Sequence, residues 1–102
     1  MLIFDERPLQ GGNQRSLLGS GMQTYVIYDI VRDGIRKRIS EACLDFGLQR
    51  IQYSAFRGNM NATRRNALEK RLAKELGKQE GKIEIIAVCE KDFRQRSVIV
   101  GE

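Results

Sequence analysis

The segment Gln23–Ile30, QTYVIYDI, constrains this chain more than any other stretch. It is apolar on both parities and rich in β-branched and aromatic side chains, the pattern of a strand buried on both faces. Such a strand needs helices packed on one side of its sheet and a second cover on the other. A chain of 102 residues holds one small core, so its own helices can supply one cover only. The second is expected to be another copy of the same surface, which predicts a two-fold dimer packed sheet to sheet. Asp29 interrupts the run near its C-terminal end.

Downstream, Asp33 offers an N-cap, and Ile35, Ile39, Ala42, Cys43 and Phe46 fall on one face of a helix that Gly47 can close. Arg36, Lys37 and Arg38 crowd its first turns, where the helix dipole favours anions, so helix propensity does not explain them. Residues 48–60, LQRIQYSAFRGNM, mix two parities and read as two short strands broken near Tyr53-Ser54. Asn61 caps a second helix striped by Leu68, Leu72 and Leu76 and ended by Gly77, with Arg71 and Glu75 as an i,i+4 ion pair and Arg64, Arg65, Lys70 and Lys74 on the other face. The strand KIEIIAVCE follows, then a polar turn, EKDFRQR, and a last strand, SVIVG, at residues 97–101.

The order is β-α-β-β-α-β plus one strand: an α+β, ferredoxin-like layout with two helices on one face of an antiparallel sheet. The C-terminal strand can pair at home or with the partner's sheet edge. Residues 1–21 show no sustained period and carry two basic and two acidic residues. They read as a flexible leader or expression-derived extension ahead of Met22, leaving residues 22–102 as one domain that holds the whole net charge of +5.

Composition closes several routes. There is no His and only Cys43 and Cys89, so the usual zinc sets, a disulfide framework and every Ser-His or Cys-His nucleophile pair are excluded within one chain. A catalytic metal would rest on oxygen ligands, which points to Mg²⁺ or Mn²⁺. No stretch approaches the roughly 18 to 20 apolar residues of a membrane span, and Asp5 and Glu6 stand where a signal peptide is basic and then apolar. The expected location is cytoplasmic. Eighteen Lys and Arg against 13 Asp and Glu favour contact with a nucleic-acid backbone, salt-sensitive and largely sequence-independent.

YVIYDI followed by a basic helix, then RIQYSAF, a Leu-striped helix and a late apolar strand resemble the small CRISPR-associated Cas-two (Cas2) family, partner of the Cas-one integrase in spacer acquisition. The resemblance spans residues 22–102 in order and spacing. It implies a ferredoxin-like homodimer, metal-dependent cleavage of RNA or double-stranded DNA, and a bridging place between integrase dimers. By the same resemblance Asp29 is the metal-binding acid, with Tyr28 beside it as a catalytic candidate. Arg36 and Arg38 match the helix arginines, and Arg50 and Phe56 the functional pair around the QYS segment. Some members carry a second Cys three residues after the one matching Cys89; here Asp92 stands there.

Asp29 in an apolar strand calls for a partner, because an unpaired buried carboxylate is costly. Two copies facing across a dimer axis, with waters and phosphate oxygens, would make a Mg²⁺ site; the alternative is a turn cap or an ion pair with an arginine. Arg36, Arg38, Arg50, Arg64 and Arg65 are candidate phosphate ligands, since guanidinium forks match phosphate oxygens, or they form solvated helix faces. Phe56 and Tyr53 can stack on bases, although strand aromatics more often belong to the core. Two further readings stay open beside the nuclease: a non-catalytic adaptor bridging integrase dimers and DNA, and a toxin-like mRNA interferase.

Overall fold

The computed structural model describes residues 21–101. The leader reading falls outside them except for Gly21. The elements are β1 (Met22–Asp29), α1 (Asp33–Asp45), β2 (Gln49–Gln52), β3 (Ala55–Met60), α2 (Ala62–Leu76), β4 (Lys82–Val88) and a short helix α3 (Glu90–Phe93). All strand pairs are antiparallel and the sheet order is β2-β3-β1-β4. The expected ferredoxin-like order is therefore present, with β1 inside the sheet.

Residues alternate sides along a strand, and on β1 Thr24, Val26 and Tyr28 are buried while Tyr25, Ile27 and Asp29 are not. The even set packs under the helices. α1 contributes Ile35, Ile39, Ala42 and Cys43, and α2 contributes Leu68 and Leu72. Together with Phe56 and Met60 of β3 they form one core. Its dryness pushes the Cys43 thiol up to about 12, by desolvation of the thiolate. The odd set looks the other way, where the register places Ile27 between Ala55 and Glu84, and Tyr25 between Arg57 and Ile86. Within the single chain, then, β1 is buried on one face only.

Local signals explain most boundaries. The Asn61 side chain accepts the Arg64 N–H at 2.8 Å and starts α2. Gly47 and Gly77 adopt φ of +84° and +59° where the chain leaves α1 and α2, conformations that glycine enters without steric cost. The expected break at Tyr53-Ser54 is a turn, preceded by a register shift between Arg50 and Gln52.

Three expectations need correction. Asp33 is the first residue of α1 and not its cap; Arg32 holds the cap position without a side-chain bond, and Asp33 pairs with Arg36 instead. The segment expected as a polar turn contains α3, because the Cys89 Sγ accepts the Asp92 N–H at 3.5 Å and begins a helical turn. Residues 97–101 form no strand within this chain, and Val98, Ile99 and Val100 are exposed. β-propensity alone does not make a strand, which exists only with a hydrogen-bonded neighbour. Among the described residues no helix is long and apolar enough to cross a membrane.

Candidate functional site

One end of the sheet gathers most of the singled-out residues. β1 finishes at Asp29, opposite Lys82 of β4. The Tyr28 N–H donates to the Ser54 carbonyl at 3.1 Å and clips the β2–β3 turn against that end. Asp29 is exposed and makes no ion pair among the described residues. The expected buried carboxylate is thus corrected: Asp29 lies on the sheet face that α1 and α2 leave open.

Arg36 explains why a cation sits in the first turns of α1. Its guanidinium donates to the carbonyls of Ile30 at 3.1 Å and Val31 at 2.8 Å, pairs with Asp33, and lies 5.7 Å from the Tyr53 ring centroid. It ties down the loop that carries the chain from β1 into α1. Arg50 stacks over Phe56, 4.8 Å from the centroid, and donates to the Tyr53 carbonyl. Arg38 faces elsewhere: it pairs with Glu75 at 3.4 Å and donates to the Glu75 carbonyl at 3.3 Å. Arg71 joins the same junction through Glu75 at 3.0 Å and Asp45 at 3.1 Å, bonds that raise its already high pKa. Arg38 is therefore part of an ion cluster joining α1 to the end of α2.

Arg64 and Arg65 occupy the far end. α2 begins just after Met60, which pairs with Met22 at the other end of β1, about 20 Å from Asp29 at the rise of an extended strand. There Arg64 lies 4.9 Å over the Phe46 ring, and Arg65 donates to the Met60 carbonyl at 3.4 Å. The structure places Asp29, Tyr28, Arg36 and Arg50 at one end of the sheet, Asp29 on the open face and Tyr28 and Arg50 on the helix side, with Arg36 on the loop and first turn that follow, and holds Arg64 and Arg65 apart as a second basic surface.

Two aromatic assignments change. Phe56 is 0% exposed, so it cannot stack on a base; it packs parallel to Tyr28 with ring centroids 6.4 Å apart. Tyr53, by contrast, is 73% exposed. Tyr28 is buried, and desolvation raises its phenol above the ordinary value of 10, with Arg50 pulling it back. A phenol held protonated donates a hydrogen bond and does not abstract a proton, which narrows the catalytic role expected of Tyr28. Sequence reasoning passed over Arg57, which lies between the rings of Tyr25 at 6.0 Å and Phe93 at 5.1 Å. No local pattern flags it, since the contact depends on the β1–β3 register and on α3.

The donor chemistry limits any metal. Among the described residues no group of three or more acids, cysteines or histidines comes together, and Asp33 is engaged with Arg36. What remains at this end among the described residues is the exposed carboxylate of Asp29, with exposed Glu84 beside Ile27 on the same face. That fits a cation that keeps most of its waters and binds through few protein oxygens, with a second copy supplying a second carboxylate.

Comparison with known proteins decides the family, because the profile described as CRISPR associated protein Cas2 matches residues 22–96. The chain belongs to the Cas2 family. The CRISPR-associated endoribonuclease Cas2 of Desulforudis audaxviator is 49% identical over 78 residues, covering 76% of this chain and 74% of the relative. The CRISPR-associated endoribonuclease Cas2 2 of Chloroflexus aurantiacus is 40% identical over 78 residues, 76% of this chain and 92% of its own. In structure the chain resembles Streptococcus pyogenes Cas2, with a TM-score of 0.65 at 21% identity over 78% of this chain and 100% of that one. A second Cas2 crystal structure gives 0.65 at 28% identity, covering 81% and 90%. The family resemblance drawn from YVIYDI and RIQYSAF is thereby borne out.

Proposed function

We propose that this Cas2-family chain is an endonuclease of CRISPR antiviral defence, acting in the cytoplasm as a homodimer with Asp29 of each protomer at one shared site. The observation that carries this reading is the exposed Asp29 carboxylate, on the uncovered sheet face and at the same end as the guanidinium groups of Arg36 and Arg50. Packing two uncovered faces about a two-fold axis would set the two Asp29 carboxylates toward each other. Relatives named endoribonucleases support RNA as the substrate.

Asp29 would hold Mg²⁺, or Mn²⁺ in its place, which when bound offsets charge on the scissile phosphate and activates water. The chain's own contribution is positional. Arg36 fixes the loop beside Asp29, Arg50 fixes the β2–β3 turn, and both guanidinium groups favour a phosphate at this end. Tyr28 stays a neutral donor behind the strand end, so the proton acceptor is solvent or substrate phosphate.

A second reading, compatible with the first, is a subunit of spacer acquisition that holds double-stranded DNA and docks the Cas-one integrase. It draws on the separate basic surface of Arg64 and Arg65 and on the exposed Val98–Val100 strip of the tail. Arg38 has a smaller share, being engaged with Glu75.

The test compares wild type with Asp29→Ala on labelled RNA and duplex DNA, each with Mg²⁺ and with chelator, alongside sedimentation to verify the dimer. Loss of product in both the variant and the chelated sample, with the dimer intact, is the expected result. Duplex binding that persists with no product dependent on Asp29 leaves the adaptor reading in its place.

A further inference from the structure

β4 joins the sheet at a lysine. In the antiparallel β1–β4 register Lys82 lies directly opposite Asp29, and Glu84 opposite Ile27. Directly opposed residues share a sheet face, with Cβ atoms about 4.5–5.5 Å apart. The burial pattern agrees: Lys82, Glu84 and Ile86 are exposed, while Ile83 and Ile85 are half-buried against the core. Lys82 therefore stands on the open face, beside the Asp29 carboxylate. The backbone sets this placement. Gly81 has a φ of +154°, and a Cβ added there would meet the Ile30 Cγ1 at 2.8 Å and the Asp29 carbonyl oxygen at 3.4 Å. A residue without a side chain lets the chain enter β4 this close to the end of β1.

The other cations at this end are placed differently. Arg50 lies on the helix side and donates to the Tyr53 carbonyl, and Arg36 directs its donors at the Ile30 and Val31 carbonyls. Among the described residues neither Lys82 nor Asp29 has an ion-pair partner. A lone carboxylate repels a phosphate brought up to it, and an ammonium on the same face offsets that repulsion. Lysine suits the task because it binds phosphate as a point charge on a flexible stem. We propose that Lys82 is a further substrate-binding residue of the Asp29 site, its ammonium holding a non-bridging phosphate oxygen of the nucleic-acid backbone. The proposal rests on the Asp29 reading for its location, and deepens it by adding a residue from the β4 edge.

Lysine acylation read by mass spectrometry, in chelator so that nothing is cut, reports the contact at the residue itself. Lys82 is expected to label in the free protein and to be protected severalfold by a short oligoribonucleotide. In titrations of the same oligonucleotide, Lys82→Ala is expected to weaken binding roughly tenfold, the scale of one charge-assisted hydrogen bond. It should also lower the slope of log affinity against log salt by about one, while Lys82→Arg keeps both near wild type. In Mg²⁺, Lys82→Ala should raise KM by a similar factor with kcat little changed. Lack of protection, or an unchanged salt slope in Lys82→Ala, overturns the proposal and leaves Lys82 a solvated charge that guards an edge strand. An affinity loss that vanishes in the Asp29→Ala background overturns it too, because Lys82 would then act only by neutralising Asp29. Failure of Lys82 to label in the free protein also overturns it, by placing the residue in a contact between copies. If Lys82 is protected and the slope falls while wild type cuts nothing in Mg²⁺, the nuclease reading fails and the phosphate contact stands.

Discussion

The two faces of the sheet carry similar residue types and end in opposite states. On the helix side Val26 and Phe56 are 0% exposed, whereas on the other side Ile27 is 40% and Ile86 42% exposed. The first face is closed by α1 and α2, and its packing accounts for the stability of the single chain. The second carries apolar side chains, Asp29 and the Tyr25–Arg57–Phe93 stack, with α3 as its partial cover. One face specifies the fold; the other stays open within the single chain.

Truncation should separate them most sharply. Phe56→Ala, on the covered face, is expected to cost about 3–5 kcal/mol in denaturant unfolding, as large-to-small core changes do. Ile27→Ala should cost less than about 1 kcal/mol in the separated chain, because little area leaves water there. Equal losses would break the distinction between the faces.

Alkaline pH probes the covered face again. The Cys43 proton stays on in the folded chain up to about 12, against an ordinary value of 9.0. Below pH 9 that contribution is fully present; between pH 9 and 12 the unfolded chain releases the proton first, so stability falls as pH rises. The full loss is on the order of 4 kcal/mol. Tyr28, raised by burial, acts with the same sign above pH 10. Cys43→Ala is expected to flatten the fall between pH 9 and 10.

Charge on the uncovered face is expected to act on association. Ile27→Asp with Ile86→Asp should raise the dimer dissociation constant at least a hundredfold by sedimentation, about 3 kcal/mol, with the helical circular dichroism unchanged. The smallest effect expected is that of Arg57→Ala, which removes a cation held between two rings. It should lower protection of α3 in hydrogen exchange by about 1 kcal/mol or less.

Much of this contrast was legible in the sequence where a signal is local. Asn61 announces α2, Gly47 and Gly77 end the helices, and the shift of parity near Tyr53-Ser54 announces the β2–β3 turn. Asp29 was legible as chemistry but not as environment. Its burial depends on whether the second sheet face is covered, which one chain cannot encode in its own spacing. Phe56 and Tyr53 could not be told apart in the sequence for a related reason. The register shift between Arg50 and Gln52 decides which aromatic of QYSAF enters the core, and parity counting across a break cannot fix that. The tail SVIVG carries strand propensity but has no ladder partner in the chain, and propensity does not name a partner.

The central claim is that the uncovered face joins two copies into one site that needs Asp29 from both. The most direct measurement uses a mixed dimer, one protomer wild type and the other Asp29→Ala, isolated through two different affinity tags and assayed for RNA cleavage in Mg²⁺. A shared site gives activity close to that of the Asp29→Ala homodimer. Retention of about half the wild-type rate would mean that each Asp29 works alone, and would contradict the account.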